Sequence, residues 1–164
     1  MSILVFLTLT WMKTKKAIFP GSFDPFTKGH EYVVQKALDV FDEIIIGIGV
    51  NTSKQYLFDL EKRIAHIEEI YKTNDRVRTQ TYVGLTTDFC SKIDAKHIVR
   101  GLRNSIDFEY EKSIAEMNFI MDKIETVFFM SRDDVSAINA SIVREIYKSN
   151  GSIDVFVSAA HKLV

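Results

Sequence analysis

The sequence predicts a single doubly wound, Rossmann-like α/β domain, and three observations predict it. Short apolar runs alternate with longer segments of helical period from about residue 16 to residue 148. One of those runs, "EIIIGIGV" at 43–50, is apolar at consecutive positions, as a central parallel strand buried on both faces must be. Both prolines of the chain fall in one loop, "FPGSFDPFTKGH" at 19–30, between the first apolar run and the first helical segment. Five strands separated by helices imply right-handed βαβ crossovers, hence a five-stranded parallel sheet flanked by helices.

The elements follow in order. The stretch 1–12, "MSILVFLTLTWM", is apolar but shorter than the ~18 to 20 residues that span a bilayer. Lys13, Lys15 and Lys16 follow it, whereas a secretory signal places its charge in front. It is expected to be an N-terminal extension outside the fold, with Met12 a candidate natural start and 13–164 one domain. "KAIFPG" (16–21) reads as the first strand, and "GHEYVVQKALDVF" (29–41) as a helix with Val33, Val34, Ala37, Leu38 and Phe41 on one face. After the strand at 43–50, "DLEKRIAHIEEIY" (59–71) spaces Leu60, Ile64, Ile67 and Tyr71 as an amphipathic helix behind Asp59 as N-cap. "RVRTQTY" (76–82) alternates like a strand near an edge, "TTDFCSKI" (86–93) is a short helix, and "KHIVRG" (96–101) is the fourth strand. "DFEYEKSIAEMNFIM" (107–121) carries Tyr110, Ile114, Met117 and Met121 on one helical stripe. "TVFFM" (126–130) is the fifth strand and "ASIVREIYK" (140–148) the last helix, while the tail with His161 has no assigned element. No repeat, low-complexity tract or linker divides the chain.

Composition restricts the function. Twenty-one basic against 22 acidic side chains give a net charge of −1, so no global field favours nucleic acid or an anionic membrane, and any anion site must be local. One cysteine, Cys90, rules out an internal disulfide framework and fits a cytoplasmic location. It reads as a small apolar residue rather than a nucleophile.

Doubly wound sheets bind ligands beyond the carboxyl ends of their strands, so the residues after each strand carry most weight. In the first of these loops, Gly21 lets the backbone leave the strand and Pro25 stiffens it. Asp24, before a proline, is expected to close an Asx turn rather than act as a base. Gly29 opens the helix and His30 falls in its first turn, where free N–H groups and the dipole favour an anion. A histidine there is placed to donate a hydrogen bond to phosphate; the plainer reading is a solvent-facing histidine beside an ordinary cap.

"GSFDPFTKGH" resembles the G-[ST]-F-D-P-x-[HT]-x-G-H signature of the nucleotidyltransferase superfamily. "VRGLRNSIDFEYE" (99–111) is similar to the second signature of one branch, the bacterial phosphopantetheine adenylyltransferases, and "NTSK" (51–54) and "SAINASIVREIY" (136–147) extend the match over most of the chain. The first signature also occurs in aminoacyl-tRNA synthetase cores, but no K-M-S-K-S-like loop or anticodon-binding domain accompanies it here. The resemblance implies transfer of the adenylyl group of ATP to 4′-phosphopantetheine, giving dephospho-coenzyme A and pyrophosphate. It implies that His30 stabilises the transition state and that Ser22 binds phosphate between the two substrates. Lys54 and Arg100 would hold the acceptor phosphate, with Thr86 and Leu85 along the pantetheine arm. Phe23, Gly101, Leu102, Arg103 and Glu111 fall where the family binds ATP, as does the run Val135, Ser136, Ala137, Ile138, Asn139, Ala140 and Ser141. Mg2+ is implied as the phosphate counter-ion with no protein ligand set, together with a homohexamer and feedback inhibition by coenzyme A.

That chemistry is coherent with the residues. The attacking group is a phosphate monoester whose second pKa, about 6, leaves it largely dianionic at neutral pH, so it needs donors and cations rather than a base. Other readings stay open: Lys54 as a solvated surface lysine, Glu111 as a partner for neighbours along its helix, and Asn139 and Ala140 as departures from the two serines usual in the last motif. At the level of function the alternatives are a sister nucleotidyltransferase with another phosphorylated acceptor, a non-catalytic nucleotide sensor, and an interaction module.

Overall fold

The structure, a computed structural model, describes residues 14–163, so the expected extension at 1–12 lies outside the described residues. Five strands, β1 (Lys16–Gly21), β2 (Glu43–Gly49), β3 (Val77–Tyr82), β4 (His97–Leu102) and β5 (Glu125–Met130), pair in the order β3-β2-β1-β4-β5. Every pairing is parallel. The connections are α1 (Lys28–Leu38), α2 (Leu60–Tyr71), α3 (Thr86–Lys92) and α4 (Ser105–Asp122), with α5 (Asp133–Ser136) and α6 (Ala140–Lys148) after β5. The doubly wound class therefore holds, and each expected element lies within a few residues of its place. The short α5 had no counterpart in the sequence reading.

Period-two alternation explains the consecutive apolar runs. Ala17, Phe19, Ile44, Ile46, Ile48 and Val99 project to one face, where they pack against Val33, Val34 and Ala37 of α1 and Ile67 of α2. Ile18, Ile45 and Ile98 project to the other, against Phe89, Cys90 and Ile124. Cys90 is fully buried, and burial pushes its thiol up to about 11, which fits an inert core residue.

Strand order reverses between β1 and β4. The ladder joining these two strands is short, Ala17–His97 and Ile18–Ile98, and a crevice opens past it at their carboxyl ends.

The tail left unassigned in the sequence forms a third cluster, in which Ile153, Val157, Ala160 and Leu163 pack with Phe58 and with Val143 of α6. It laces over the start of α1: the Lys28 N–H donates to the Phe156 carbonyl at 2.9 Å and its ammonium to the Val155 carbonyl at 2.8 Å. On α2, buried His66 donates from Nε2 to the Ser158 carbonyl at 2.7 Å; burial lowers its pKa, against the pull of that hydrogen bond.

The stripe Tyr110, Ile114, Met117 and Met121 does form one face of α4, yet α4 has no buried residue, and Tyr110 and Met117 are 68% and 56% exposed. Helical period identifies an apolar face but not what covers it.

Candidate active site

The loop after β1 is shaped by contacts from distant parts of the chain. A Cβ on Gly21 would sit 2.7 Å from the Phe23 ring, so only glycine lets the chain double back there, and Phe23 itself has φ 48°. Phe23 and Phe26 are buried. Asp24, 5% exposed, accepts from the Leu57 and Phe58 N–H groups, each at 2.9 Å. This corrects the expected Asx turn: the carboxylate is scaffold, but it ties the loop to the segment after Lys54 instead of closing a local turn. The Asp24 carbonyl in turn accepts from Arg144 of α6 at 2.7 Å.

His30 is the third residue of α1 and completes a capping box with Thr27. The Thr27 N–H donates to His30 Nδ1 at 2.9 Å, and the Thr27 hydroxyl lies 3.0 Å from the same nitrogen. A backbone N–H can only donate, so Nδ1 is the unprotonated nitrogen and Nε2 carries the proton. Phe19, Phe23 and Phe26 surround the ring with centroids 5.3–6.1 Å away. That apolar wall, and then the charges of Arg100 and Arg103, lower its pKa to about 4. At neutral pH His30 is an uncharged donor.

At the end of β4, Arg100 spans the crevice. Its Nη1 donates to the Pro20 carbonyl of β1 at 2.7 Å, and its Nε to Glu111 Oε2 at 2.8 Å, while Nη2 binds Glu111 Oε1. Glu111 thus pairs across from α4 to β4, not along its own helix. Three of the five guanidinium N–H groups are used, leaving two for a ligand. Arg103 is held by Asp107 at 2.9 and 3.0 Å, a pairing that raises the arginine and lowers the carboxyl below its usual range. A Cβ on Gly101 would meet Val33 of α1 at 2.6 Å, so glycine brings the strand end close to the helix that carries His30.

Two clefts meet at this point. The first, ≈ 430 Å³, has Ser22, His30, Arg100 and Arg103 in its wall and the start of α6 opposite. The second, ≈ 220 Å³, is more apolar, with Tyr82, Thr86, Ile98, Ile114, Asn118 and Thr126 around it. They share Pro20, Gly21, Arg100 and Glu111 as a common wall. The Tyr82 hydroxyl lies 2.9 Å from Thr86 Oγ1, and Thr126 Oγ1 is buried without a partner.

Of the residues singled out in sequence, Ser22, Phe23, His30, Arg100, Gly101, Arg103, Glu111, Val135, Ile138, Asn139, Ala140 and Ser141 converge on the first cleft, and Thr86 on the second. Lys54 lies on an exposed loop with its ammonium 3.5 Å from the Ser22 hydroxyl. Leu102 is buried in the core, Leu85 is 54% exposed beside Thr86, and Ser136 donates to the Asp133 carbonyl; these three, with Ala137, line neither cleft. Asn139 caps α6, its Oδ1 accepting from the Ser141 N–H at 2.8 Å, which leaves its amide N–H groups free to donate. The sequence reading missed Thr27, Asp107 and Arg144. A T-x-x-H box signals Thr27 only if histidine is allowed in the place of Glu or Gln, and Arg144 is signalled by its i+3 spacing from Ser141, to whose hydroxyl it donates at 2.8 Å.

Residues 18–146 match the cytidylyltransferase-like family model. The chain is similar to the phosphopantetheine adenylyltransferase of Flavobacterium psychrophilum, 48% identical over 146 residues covering 89% of this chain and 97% of that one. It is also similar to that of Flavobacterium johnsoniae, 49% identical over 89% of this chain and 96% of the other. Its fold resembles a solved bifunctional NMN adenylyltransferase/ADP ribose pyrophosphatase from Francisella tularensis, with TM-score 0.66 and 20% identity over 86% of this chain and 44% of that longer one. On that family match and these identities, the chain belongs to the cytidylyltransferase-like family and, within it, to the phosphopantetheine adenylyltransferases.

Proposed function

We propose that this protein transfers the adenylyl group of ATP to 4′-phosphopantetheine, releasing pyrophosphate and forming dephospho-coenzyme A. The observation that carries the reading is the pair of clefts with a shared wall: a polar one at two helix N-termini, and a more apolar one suited to a pantetheine arm, meeting at Arg100 and Glu111. A phosphate oxygen of the acceptor attacks the α-phosphorus of ATP; one P–O bond forms, the bond to the bridging oxygen breaks, and pyrophosphate leaves with its electron pair. The nucleophile is already ionised, so no base is required. His30 Nε2–H, the two unused N–H groups of Arg100, Arg103 and Lys54 supply donors and positive charge for the phosphate oxygens, whose negative charge develops most strongly in the transition state.

Among the described residues no group of three His, Cys, Asp or Glu side chains is placed to hold a metal. Mg2+ enters this reading as part of the substrate MgATP, as the counter-ion of its phosphates. Among the same residues no helix is long and apolar enough to cross a membrane; a cytoplasmic location is proposed from the lone, buried thiol. The uncovered face of α4 supports assembly into the homohexamer implied by the family resemblance, which light scattering tests. Coenzyme A joins a nucleotide to a pantetheine arm, so it suits both clefts at once and is proposed as a competitive end-product inhibitor.

The deciding assay is pyrophosphate release from MgATP with 4′-phosphopantetheine, run beside nicotinamide mononucleotide and glycerol 3-phosphate. Preferential turnover of phosphopantetheine is expected. Preference for another acceptor, or nucleotide binding without turnover of any, overturns the reading.

A further inference from the structure

Ser22 and Lys54 belong to different loops, and Lys54 is exposed, yet their polar ends lie 3.5 Å apart. Tyr56, two residues on from Lys54, packs beside that contact. On its ring lie the Lys54 ammonium, 5.6 Å from the centroid, and the Arg63 guanidinium, 4.1 Å from it. Arg63, on α2, is 2% exposed. Its Nη1 donates to the Ser22 carbonyl at 2.6 Å and its Nε to the Phe58 carbonyl at 3.0 Å. The contacts close a circuit: Ser22 to Arg63, Arg63 to Tyr56, Tyr56 to Lys54, and Lys54 back to Ser22.

A buried guanidinium held by carbonyl oxygens and an aromatic face is a costly way to fasten a loop, because its desolvation is compensated only in part. Its location explains it better. We infer that Arg63 and Tyr56 are positioning residues for the acceptor phosphate: Arg63 fixes the backbone at Ser22, and through the Tyr56 ring it sets the Lys54 ammonium over the Ser22 hydroxyl, so that a phosphate meets two donors already in register. The inference rests on the proposed function for the identity of the acceptor. Without the stack, Lys54 is a long, freely rotating side chain, and binding must order it each time. Asp24, which clamps the Leu57 and Phe58 N–H groups, holds the far end of the same segment.

Two measurements test it. In the ligand-free protein the ring current of Tyr56 shifts the Lys54 ε-methylene resonances upfield, and Arg63→Met returns them toward random-coil values although neither Lys54 nor Tyr56 has changed. Unmoved Lys54 resonances in a folded Arg63→Met protein overturn the inference. In steady-state kinetics, Tyr56→Ala raises the KM for phosphopantetheine about tenfold, with the KM for ATP and kcat within about twofold, and Tyr56→Phe restores the wild-type value because the π face remains. In a Lys54→Ala background Tyr56→Ala adds less than about twofold, since the group it positions is gone. An undiminished Tyr56→Ala effect in that background, or an equal effect on ATP, assigns the stack to loop stability alone and overturns the inference. The Tyr56 variants lie on a surface loop and serve if Arg63→Met does not fold. A wild-type protein that fails to turn over phosphopantetheine refutes the proposed function, while the Lys54 resonances still decide the circuit.

Discussion

The Thr27 N–H donates to His30 Nδ1, which fixes the tautomer of the cleft-facing histidine and leaves Nε2–H as its donor. One ring nitrogen caps the helix while the other is left for the first cleft, which His30 lines. Because the apolar wall of Phe19, Phe23 and Phe26 lowers the pKa to about 4, this donor persists unchanged through the physiological range.

His30 is therefore expected to titrate near pH 4 when its ring is followed by NMR, and a midpoint near 6.5 contradicts the burial argument. The sign for stability follows: above pH ~6.5 the ring is neutral whether folded or unfolded and contributes no pH dependence. Between ~6.5 and 4 the unfolded chain binds a proton that the native state refuses, so stability drops as the pH is lowered through that window, by at most about 3 kcal/mol. Denaturant titrations of wild type and His30→Gln at pH 7 and pH 5 isolate that loss.

Replacing His30 by alanine removes a transition-state donor and should lower kcat by roughly 10² to 10³ with a smaller change in the KM for ATP. The same change removes the half of the capping box that satisfies the Thr27 N–H, so the protein also loses about 1 kcal/mol and melts a few degrees lower. Turnover comparable to wild type in a folded variant removes His30 from the mechanism.

Lys54→Ala should act on the acceptor. The KM for phosphopantetheine rises about tenfold or more while the KM for ATP stays nearly constant, because in the proposed function the ammonium, 3.5 Å from the Ser22 hydroxyl, serves the acceptor phosphate. A selective rise in the ATP requirement would reverse the order in which the two substrates are placed.

Asp24→Ala strands two N–H groups, of Leu57 and Phe58, that the buried carboxylate now satisfies. A loss of about 2–4 kcal/mol is expected, measured by urea denaturation, together with faster amide exchange at Leu57 and Phe58. Stability within about 0.5 kcal/mol of wild type would show that the clamp is dispensable.

Much of this was legible in the sequence, because period carries it. Consecutive isoleucines at 44–46 marked a strand covered on both faces, and the ladder confirms Ile44 and Ile46 against one layer and Ile45 against the other. The location of the site was also legible, since glycines, arginines and His30 collected at strand ends. What stayed hidden depends on partners remote in sequence. Asp24 looked like a local turn former because nothing in "FDPF" announces Leu57 and Phe58. Arg63 reads as one more charged residue of an amphipathic helix, and its burial becomes visible only when Ser22 is folded beneath it. The apolar side of α4 was visible, but not that this chain leaves it uncovered.

The loop after β1 is thus not a portable module. A graft of residues 19–30 into another strand–helix unit would carry Ser22 and His30, and even the Thr27 cap. It would leave behind the clamp from Leu57 and Phe58, the brace from Arg63 and the stay from Arg144. Transplanted alone, the signature would keep its letters and lose its shape.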